Sequence, residues 1–398
     1  MKIIIIGAGI GGASAGIALK RLGHEVVIYD RMHENKPVGA ALSLWSNGVK
    51  ILNWLGLGDE IAKLGGRMDQ MAYYDGHTGD TMCQFSLAPV TEQTGQRPYP
   101  IARAELQSLL MEKFGTDAIH LNSKVVDISD DGEKVTVTLA DGRTDTADMI
   151  IGADGARSIT RDYVTPSDVP RIERHYTGYT NFNGLVPASE KIGPLDQWTT
   201  YVAEGKRCAV MPVAGNRFYF FVDVPQPAGL PYDKSEGVAP LEEAFGQWGA
   251  PGVRALLDSI DPDVSFNRVE IWDIDPFHTW VKGRVAVLGD AGHNTAPDIG
   301  QGACSALEDT FALAITIAST TVSVEDSLLR YQKIRTARAG DLVLRARSRY
   351  NETHAFDPEV TENWYAGLRH EDGTNIIRGI VGNIIDSPIN LGAGVLPA

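Results

Sequence analysis

The sequence predicts a mixed α/β fold in which a parallel sheet flanked by helices is combined with a largely antiparallel sheet. Residues 2–6 (KIIII) form a continuous apolar run that is followed by a glycine-rich turn and a helical pattern. This is typical of a strand buried on both faces of a parallel sheet. Residues 170–275 are richer in aromatic residues and contain runs in which apolar and polar residues alternate, which indicates antiparallel strands. Two more apolar runs, 148–153 and 284–288, are each followed by an aspartate beside a glycine.

The first thirty residues have the pattern of a Rossmann-like nucleotide-binding unit. Three glycines follow the first strand in G-x-G-x-x-G spacing: Gly7, Gly9 and Gly12. A helical pattern leads to a second strand at 25–29, and Asp30 stands at its end. In such a unit the glycines permit a tight turn, a close approach to a pyrophosphate and helix–strand packing, while the acid binds a ribose hydroxyl. The pattern predicts a dinucleotide site without distinguishing NAD from FAD.

Two later strand ends carry similar residues. Asp154 and Gly155 follow one predicted strand, and Asp290 follows another. Ligands of open α/β sheets bind at the carboxyl ends of the strands. We therefore expect Asp30, Asp154 and Asp290 to converge on one extended ligand.

The stretch after Asp290 combines a loop with a glycine-flanked helix start. Pro297 and Asp298 lie in the loop, and Gly300 and Gly302 open an apolar helix. Such a helix start offers unpaired N–H groups and partial positive charge to an anion or an electron-rich ring. This stretch is therefore expected to contact the same ligand.

The clearest antiparallel pair is the predicted hairpin formed by 207–213 and 217–223, with a three-residue loop between them. With that loop length, one face of the hairpin carries Arg207, Tyr219 and an aromatic wall. These side chains could bind a planar anion. The alternative from the same register is that Arg207 pairs with Asp223 across the strands and Tyr219 belongs to the core.

Composition limits the classes of partner. The chain has 36 basic and 51 acidic residues, a net charge of −15, so nucleic acid and anionic membranes are not expected as partners. An anionic substrate would need a local arginine. Three cysteines without CxxC spacing argue against disulfides and a metal site and favour the reducing cytoplasm. Beyond the apolar run at the N-terminus, the sequence has no apolar stretch of the length that a membrane span needs.

Taken together, the motifs resemble the single-component flavin-dependent aromatic hydroxylases related to para-hydroxybenzoate hydroxylase. The motifs are the N-terminal glycines with their acid, the Asp154-Gly155 pair followed by Ser158 and Arg161, and the Gly289–Gly302 stretch. The resemblance implies FAD as cofactor, NADH or NADPH as co-substrate, and O₂. It also implies that Arg103 lies near the ribityl and phosphate region of FAD, with Asp290, Pro297, Gly300 and Gly302 in the same cofactor shell. The choice between NADH and NADPH stays open.

A closer resemblance within this family is to members that hydroxylate urate. It rests on three segments, PVGAALSLWSNGVKILNWLGLGD, QWTTYVAEGKRCAVMPVAGNRFYFFVDVPQPAGLP and APDIGQGACSALED. The resemblance places Arg207, Tyr219 and Asp298 around the purine, as catalytic residues. It implies hydroxylation of urate at C5 through a C4a-hydroperoxyflavin. Asp298 would either orient Arg207 or accept a proton. The first alternative is hydroxylation of another aromatic ring, such as a hydroxybenzoate or a pyridine. The second is a flavoprotein reductase or oxidase that does not hydroxylate, and the third is a non-catalytic nucleotide-binding or regulatory protein.

The predicted organisation is discontinuous, because strands at 71–75 and 81–86 interrupt the nucleotide-binding pattern. We assign 1–70, 100–168 and 276–350 to the FAD-binding domain. The antiparallel substrate domain comprises 71–99 and 169–275, and a helical tail comprises 351–398. The sequence leaves the oligomeric state open.

Three further residues or segments are expected to be structural. Cys304 is expected to be a small packing residue rather than a nucleophile, and His293 a loop histidine rather than a proton carrier. The arginine-rich helix at 325–350 is expected to be solvated or salt-bridged rather than to bind phosphate.

Overall fold

The computed structural model describes residues 1–34, 40–318 and 322–391. The strands, in chain order, are β1 Lys2–Ile6, β2 Glu25–Tyr29, β3 Ala41–Leu44, β4 Gln70–Asp75, β5 Thr81–Ser86, β6 Tyr99–Ala102, β7 Ile119–His120, β8 Val125–Asp130, β9 Val135–Leu139, β10 Thr144–Ala147, β11 Met149–Gly152, β12 Arg174–Pro187, β13 Gln197–Ala203, β14 Lys206–Val213, β15 Arg217–Pro225, β16 Asn267–Ile274, β17 Val281–Lys282 and β18 Val285–Val287.

The α-helices, in chain order, are α1 Ile10–Arg21, α2 Ser46–Trp54, α3 Gly58–Leu64, α4 Ala88–Thr94, α5 Arg103–Phe114, α6 Ile159–Val164, α7 Ala239–Phe245, α8 Pro251–Leu257, α9 Asp290–His293, α10 Gly302–Ile317, α11 Val324–Thr353, α12 Pro358–Leu368 and α13 Thr374–Ile384. A short 3₁₀ turn at Pro297–Ile299 precedes α10.

A six-stranded sheet forms the base of the nucleotide-binding region, with the order β17-β18-β11-β1-β2-β7. β1 pairs in parallel with β2 on one side and with β11 on the other. Its isoleucines are almost completely buried because helices cover both faces, which explains the uninterrupted apolar run in the sequence. The helix α1 packs against α5 and α10, so the glycine-rich turn is held firmly at the sheet edge.

A second sheet has seven strands in the order β16-β12-β15-β14-β13-β4-β5. Its pairs are antiparallel except for β13 with β4. The predicted combination of a parallel and a largely antiparallel sheet is therefore confirmed. The strands β4 and β5, which lie far from the others in sequence, join one end of this sheet, with β5 at its edge. The assignment of residue ranges to domains stays a prediction.

The hairpin β14–β15 has the predicted register, with Arg207 opposite Asp223 and Met211 opposite Tyr219. One face of the sheet packs on the helices α7 and α8 around a separate apolar cluster. The other face turns toward the nucleotide-binding region, and it carries Arg207 and Tyr219.

The long helix α11 confirms the predicted helix at 325–350. C-terminal to α11 lie the helices α12 and α13, and residues 392–398 of the predicted tail lie outside the described residues. The turn after α11 contacts the seven-stranded sheet. Nδ1 of His354 forms a hydrogen bond with the carbonyl oxygen of Gly205, which lies between β13 and β14. The end of α11 is thereby placed next to Arg207.

Candidate active site

The carboxyl ends of four parallel strands lie along one edge of the six-stranded sheet, in the order β18, β11, β1, β2. They are followed respectively by Asp290, by Asp154, by the glycine turn and by Asp30. With about 4.8 Å between neighbouring strands, these loops span roughly 14 Å. Such a row suits an extended ligand, because each loop can contact a different part of it.

The glycine turn is shaped for close approach of a phosphate. Gly7 has φ +108°, and a Cβ there would lie 2.3 Å from the carbonyl oxygen of Ala153. At Gly12 a Cβ would lie 1.9 Å from the oxygen of Gly7, so the helix and the turn can pack together only through glycine. By contrast, a Cβ on Gly9 would meet nothing within 4 Å, and no side chain caps α1. Open space beside uncapped N–H groups is what a pyrophosphate requires.

The Asp30 carboxylate stabilises the same turn. Its Oδ2 accepts a hydrogen bond from the Ala8 N–H at 2.6 Å, and its Oδ1 accepts one from the Met32 N–H at 2.7 Å. Each carboxylate oxygen can accept a further bond. Asp30 can therefore hold the turn and still contact a ribose hydroxyl.

The Asp154 carboxylate is engaged within its own loop. It accepts bonds from the Ser158 hydroxyl at 2.6 Å and from the backbone N–H groups of Ile159 and Thr160 at 2.8 and 3.1 Å. Asp154 therefore fixes the start of α6, and the adjacent Gly155, at φ +78°, turns the backbone. From this loop a cofactor would be contacted chiefly by backbone groups.

Arg161 joins two of the loops and was not among the predicted site residues. This side chain is 3% exposed. It donates to the oxygen of Ala156 at 2.7 Å and to the oxygens of Asp290 and Ala291 at 3.3 and 3.2 Å. Its position after the Asp154-Gly155 pair was visible in the sequence, but its partners more than a hundred residues away were not.

The Asp309 carboxylate holds the loop at Asp290 in place. Asp309 accepts a bond from the Gly289 N–H at 2.8 Å and another from His293 at 2.7 Å, and it pairs with Arg335 at 2.7 Å. Burial raises the pKa of Asp309, but the charges of His293 and Arg335 outweigh it and lower the pKa to about 2. His293 is thus a buried structural residue, in agreement with its predicted role.

The start of α10 lies against β3 and leaves polar groups without partners. A Cβ on Gly300 would lie 2.6 Å from Ser43 Oγ and 2.7 Å from Trp45 Nε1, so only glycine fits there. No side chain caps α10, which begins at Gly302. Among the described residues, several buried nitrogens around the sheet edge lack a hydrogen-bond partner: Trp45 Nε1, Arg103 Nε, Arg161 Nε and Arg174 Nε. Buried unpaired donors of this kind are uncommon, and an anionic or carbonyl-bearing ligand such as FAD would satisfy them.

The second part of the site is a buried ion cluster centred on Arg207, which is 8% exposed. Its Nε donates to Asp223 Oδ2 at 2.8 Å, and its Nη2 lies 2.7 Å from both Asp223 Oδ2 and Asp298 Oδ1. The predicted alternative of a pair with Asp223 is therefore confirmed, and Asp298 is a second partner. Burial by itself would lower the pKa of Arg207, but the two carboxylates raise it by more. The net pKa is therefore raised, and the guanidinium is charged.

Asp298 has both carboxylate oxygens engaged. Oδ1 accepts from Arg207, and Oδ2 accepts from the Tyr179 hydroxyl at 2.5 Å. Burial raises the pKa of Asp298, but Arg207 and His354 lower it to about 2. Asp298 is consequently ionised at neutral pH. It connects the turn before α10 with the seven-stranded sheet.

Aromatic rings line the same face of the sheet. Phe221 lies between Tyr219 and Trp198, with ring centroids 5.7 and 6.4 Å away, and Arg207 lies 5.9 Å from the Phe221 ring. Burial raises the pKa of the Tyr219 hydroxyl, so it is a neutral donor. Among the described residues this hydroxyl has no hydrogen-bond partner. The face combines one cation, one free phenol and an apolar wall, which is suited to a planar anion.

Sequence reasoning missed two residues of this cluster, Tyr179 and His354. Tyr179 is fully buried on β12, and its ring stacks on that of His354, with centroids 4.1 Å apart. Nothing in the sequence connects these positions with Asp298. Both residues lie next to Asp298 only because β12 and the end of α11 pack together in the folded structure.

The cysteines of the chain are free and buried: Cys83, Cys208 and Cys304. Burial raises the pKa of Cys304 to about 12, and its Sγ packs against Gly48. A thiol in this state is a poor nucleophile. Cys304 thus packs α2 against α10, as expected.

Within 1–34, 40–318 and 322–391, no helix is long and apolar enough to cross a membrane. Over the same ranges, no group of three or more His, Cys, Asp or Glu side chains is arranged to hold a metal ion.

Known proteins share both the sequence and the fold. The FAD binding domain family matches residues 1–346. The FAD-dependent urate hydroxylase of Mycolicibacterium vanbaalenii is 58% identical over 391 residues, covering 98% of each chain. The Klebsiella pneumoniae HpxO structure complexed with FAD and uric acid superposes with a TM-score of 0.92 at 46% identity, covering 98% of each chain. A salicylate hydroxylase substrate complex has a TM-score of 0.80 at 25% identity, covering 100% of this chain and 98% of the other.

These matches extend over nearly the whole chain, and they include both the sheet edge and the Arg207 cluster. The match to the salicylate hydroxylase shows that an aromatic hydroxylase with a different substrate has a similar fold. The chain belongs to the FAD binding domain family, among the flavin-dependent hydroxylases that include the FAD-dependent urate hydroxylases.

Proposed function

We propose that this protein is an FAD-dependent monooxygenase that uses NADH or NADPH and O₂ to hydroxylate urate at C5, giving 5-hydroxyisourate. The observation that carries this proposal is the buried ion pair between Arg207 and Asp298, at 2.7 Å. It brings a guanidinium of the antiparallel sheet to the turn that leads into Gly300 and Gly302. The relatives named above as urate hydroxylases support urate as the substrate.

The residues of the sheet edge are assigned to the cofactor. The glycine turn and the start of α1 would hold the pyrophosphate, and Asp30 would contact a ribose hydroxyl. The remaining residues assigned to the cofactor shell are Arg103, Asp154, Gly155, Asp290, Pro297, Gly300 and Gly302. When bound, FAD supplies the redox chemistry, passing electrons from NAD(P)H to O₂ and one oxygen atom to the substrate.

Arg207 binds the substrate anion in this proposal. Its guanidinium is planar and carries a fixed fork of donors, which matches the adjacent oxygen and nitrogen atoms of a planar purine anion better than a lysine would. Its Nε and Nη2 are used by carboxylates, whereas Nη1 makes no hydrogen bond among the described residues. A free donor therefore remains on a guanidinium that is already held in place.

Asp298 orients Arg207 rather than serving as the first proton acceptor. Both of its oxygens accept hydrogen bonds, and its pKa is lowered to about 2. A carboxylate with so low a pKa takes a proton weakly at neutral pH. Its contribution is to keep the guanidinium turned toward the substrate.

Tyr219 and the aromatic wall complete the substrate site. The Tyr219 hydroxyl is neutral because burial raises its pKa, so it can donate to a carbonyl oxygen of the purine. Phe221 and Trp198 exclude water and strengthen the electrostatic attraction of Arg207 for the anion.

The test is to purify the protein, record its visible spectrum, and add urate with NADH or NADPH while following oxygen uptake and urate absorbance. We expect a yellow protein and urate-dependent consumption of O₂ and reduced nucleotide. Turnover with hydroxybenzoates or hydroxypyridines but not urate would show that another ring is the substrate. Nucleotide oxidation without oxygen transfer to any product would show a reductase or oxidase.

The cytoplasm is the compartment we propose for this reaction. Three buried free cysteines suit a reducing environment, and NAD(P)H is needed as co-substrate. Cell fractionation with a cytoplasmic marker checks this. Recovery with an extracytoplasmic fraction would contradict it.

A further inference from the structure

His354 follows α11 directly and is 1% exposed. Its ring stacks on Tyr179 at 4.1 Å, with an interplanar angle of 28°. Its Nδ1 lies 3.0 Å from the carbonyl oxygen of Gly205. These contacts hold the imidazole in one orientation at the edge of the Arg207 cluster.

The hydrogen bond to Gly205 determines where one proton must be. A carbonyl oxygen only accepts hydrogen bonds, so Nδ1 of His354 must carry a hydrogen. The other ring nitrogen, Nε2, lies 3.7 Å from Asp298 Oδ1 and has no hydrogen-bond partner among the described residues. A neutral ring would therefore point a lone pair at a carboxylate. A protonated ring would point an N–H at it.

The charges of the cluster favour the protonated ring. Arg207 contributes one positive charge, and Asp223 and Asp298 contribute two negative charges, all in a buried environment. An unbalanced buried charge is costly. A positively charged His354 brings the sum to zero.

Three tyrosines also lie near the ring and do not supply this charge: Tyr179 on β12, Tyr350 on α11 and Tyr365 on α12. Burial raises the pKa of each of them, to about 12 for Tyr350 and Tyr365 and well above its ordinary value for Tyr179. All three are therefore neutral and add no charge to the cluster.

We propose that His354 is an imidazolium in the enzyme ready for substrate, and that it is a positioning residue which neutralises Asp298. The charge of Arg207 is then available to an anionic substrate instead of being outweighed by two carboxylates. With a neutral ring in its place the cluster would be net negative and would repel the anion. This rests on the proposed function only in taking urate as that anion.

The charge of His354 can be measured without turnover. We would label the FAD-bound protein with ¹⁵N-histidine and assign the His354 signals by their absence in the His354→Gln variant. Two protonated ring nitrogens near pH 7 are expected. A neutral ring with hydrogen on Nδ1 alone would overturn the proposal, whether or not urate is the substrate. If the variant does not fold, assignment by through-bond correlation in the unaltered enzyme gives the same answer.

The functional consequence is tested by steady-state kinetics with urate. Glutamine keeps a donor but removes the charge, so His354→Gln should raise KM for urate about tenfold or more with a smaller change in kcat. An unchanged KM would overturn the proposal.

Two controls separate charge from structure. Tyr350→Phe changes a neighbouring buried ring, and it should leave KM for urate close to that of the unaltered enzyme. In the Asp298→Asn background the cluster no longer needs a second cation, so adding His354→Gln should change KM less than about threefold. Full additivity of the two substitutions would contradict an action of His354 through Asp298. Absence of urate turnover in the unaltered enzyme would refute the proposed function but not the measured ring charge.

Discussion

At the scale of single residues, the central feature is one guanidinium shared between two carboxylates. Asp223 comes from the neighbouring strand and Asp298 from the turn before α10. A buried ion pair contributes little net stability, because desolvation offsets the attraction. The arrangement is better explained by orientation. The two carboxylates hold Arg207 in one geometry, and its Nη1 stays free to donate a hydrogen bond.

Replacement of Arg207 by glutamine should weaken urate binding strongly. We expect KM for urate to rise about thirtyfold, corresponding to ~2 kcal/mol for a lost charged contact, while FAD stays bound. Steady-state kinetics and the flavin spectrum measure the two effects. Arg217→Gln is a matched control on the same hairpin, since Arg217 pairs with Glu105 at a partly exposed position. Unchanged urate kinetics in Arg207→Gln would remove this residue from the site.

Replacement of Asp298 by asparagine should lower turnover and leave the flavin in place. An amide can still hydrogen bond with Arg207 and Tyr179, but it no longer provides the negative charge that fixes the guanidinium. kcat and the FAD content of the purified variant are the measurements. Loss of the flavin would instead assign Asp298 to the cofactor shell.

Cys304→Ser should preserve activity within about twofold, because a buried thiol of raised pKa is a weak nucleophile. Serine is close in size, so the packing against Gly48 is kept. The kcat of the variant is the measurement, with its melting temperature as control for folding. A loss of two orders of magnitude at unchanged stability would indicate thiol chemistry.

At the scale of elements, the turn between β1 and α1 allows two glycines to be compared. A Cβ on Gly12 collides with the oxygen of Gly7, whereas a Cβ on Gly9 meets only open space. We expect Gly12→Ala to lower the melting temperature of the apoprotein. Gly9→Ala should leave that temperature nearly unchanged but raise the Kd for FAD about tenfold or more, because the new methyl group occupies the phosphate position. Thermal melts and flavin titrations separate the two. Full FAD affinity in Gly9→Ala would contradict a pyrophosphate at this turn.

The arginine-rich helix α11 contributes buried ion pairs as well as exposed ones. Arg335 is fully buried against Glu308 and Asp309, and Arg338 pairs with Glu308 as well. The expectation of salt bridges is confirmed. Through Asp309, α11 also supports the loop of Asp290, so the helix contributes to the shape of the cofactor edge.

At the scale of the whole molecule, the buried carboxylates predict a pH dependence of stability. The folded pKa of Asp309 is lowered to about 2, whereas an unfolded aspartate titrates near 3.9. Its contribution is therefore fully present above pH ~4 and is lost as the pH falls toward 2. We expect the free energy of unfolding to decline by about 2 kcal/mol over this interval from Asp309 alone.

Chemical denaturation between pH 6 and pH 2 measures this decline. Asp309→Asn should be less stable at neutral pH and should lose less stability on acidification. Asp341→Asn, at an exposed pair with Arg345, is the matched control and should follow the unaltered protein closely. An equally steep decline in Asp309→Asn would show that other groups govern acid unfolding.

The sequence by itself determined the nucleotide-binding edge, because the turn chemistry there is local. The positions of Gly7, Gly9, Gly12 and Asp30 follow from one strand–turn–helix–strand unit of thirty residues. The hairpin register that pairs Arg207 with Asp223 is also local, since it depends only on a three-residue loop and strand alternation. These features were predictable from residue types and spacing.

Only the tertiary structure decided which distant groups meet. The positions of Tyr179 and His354 beside Asp298 depend on packing β12 and the end of α11 around one turn. The role of Asp154 depends likewise on which donors reach its carboxylate, and these proved to belong to its own loop. The physical reason is range: propensities and turns act over a few residues, whereas a buried charge is balanced by whatever group the fold brings next to it.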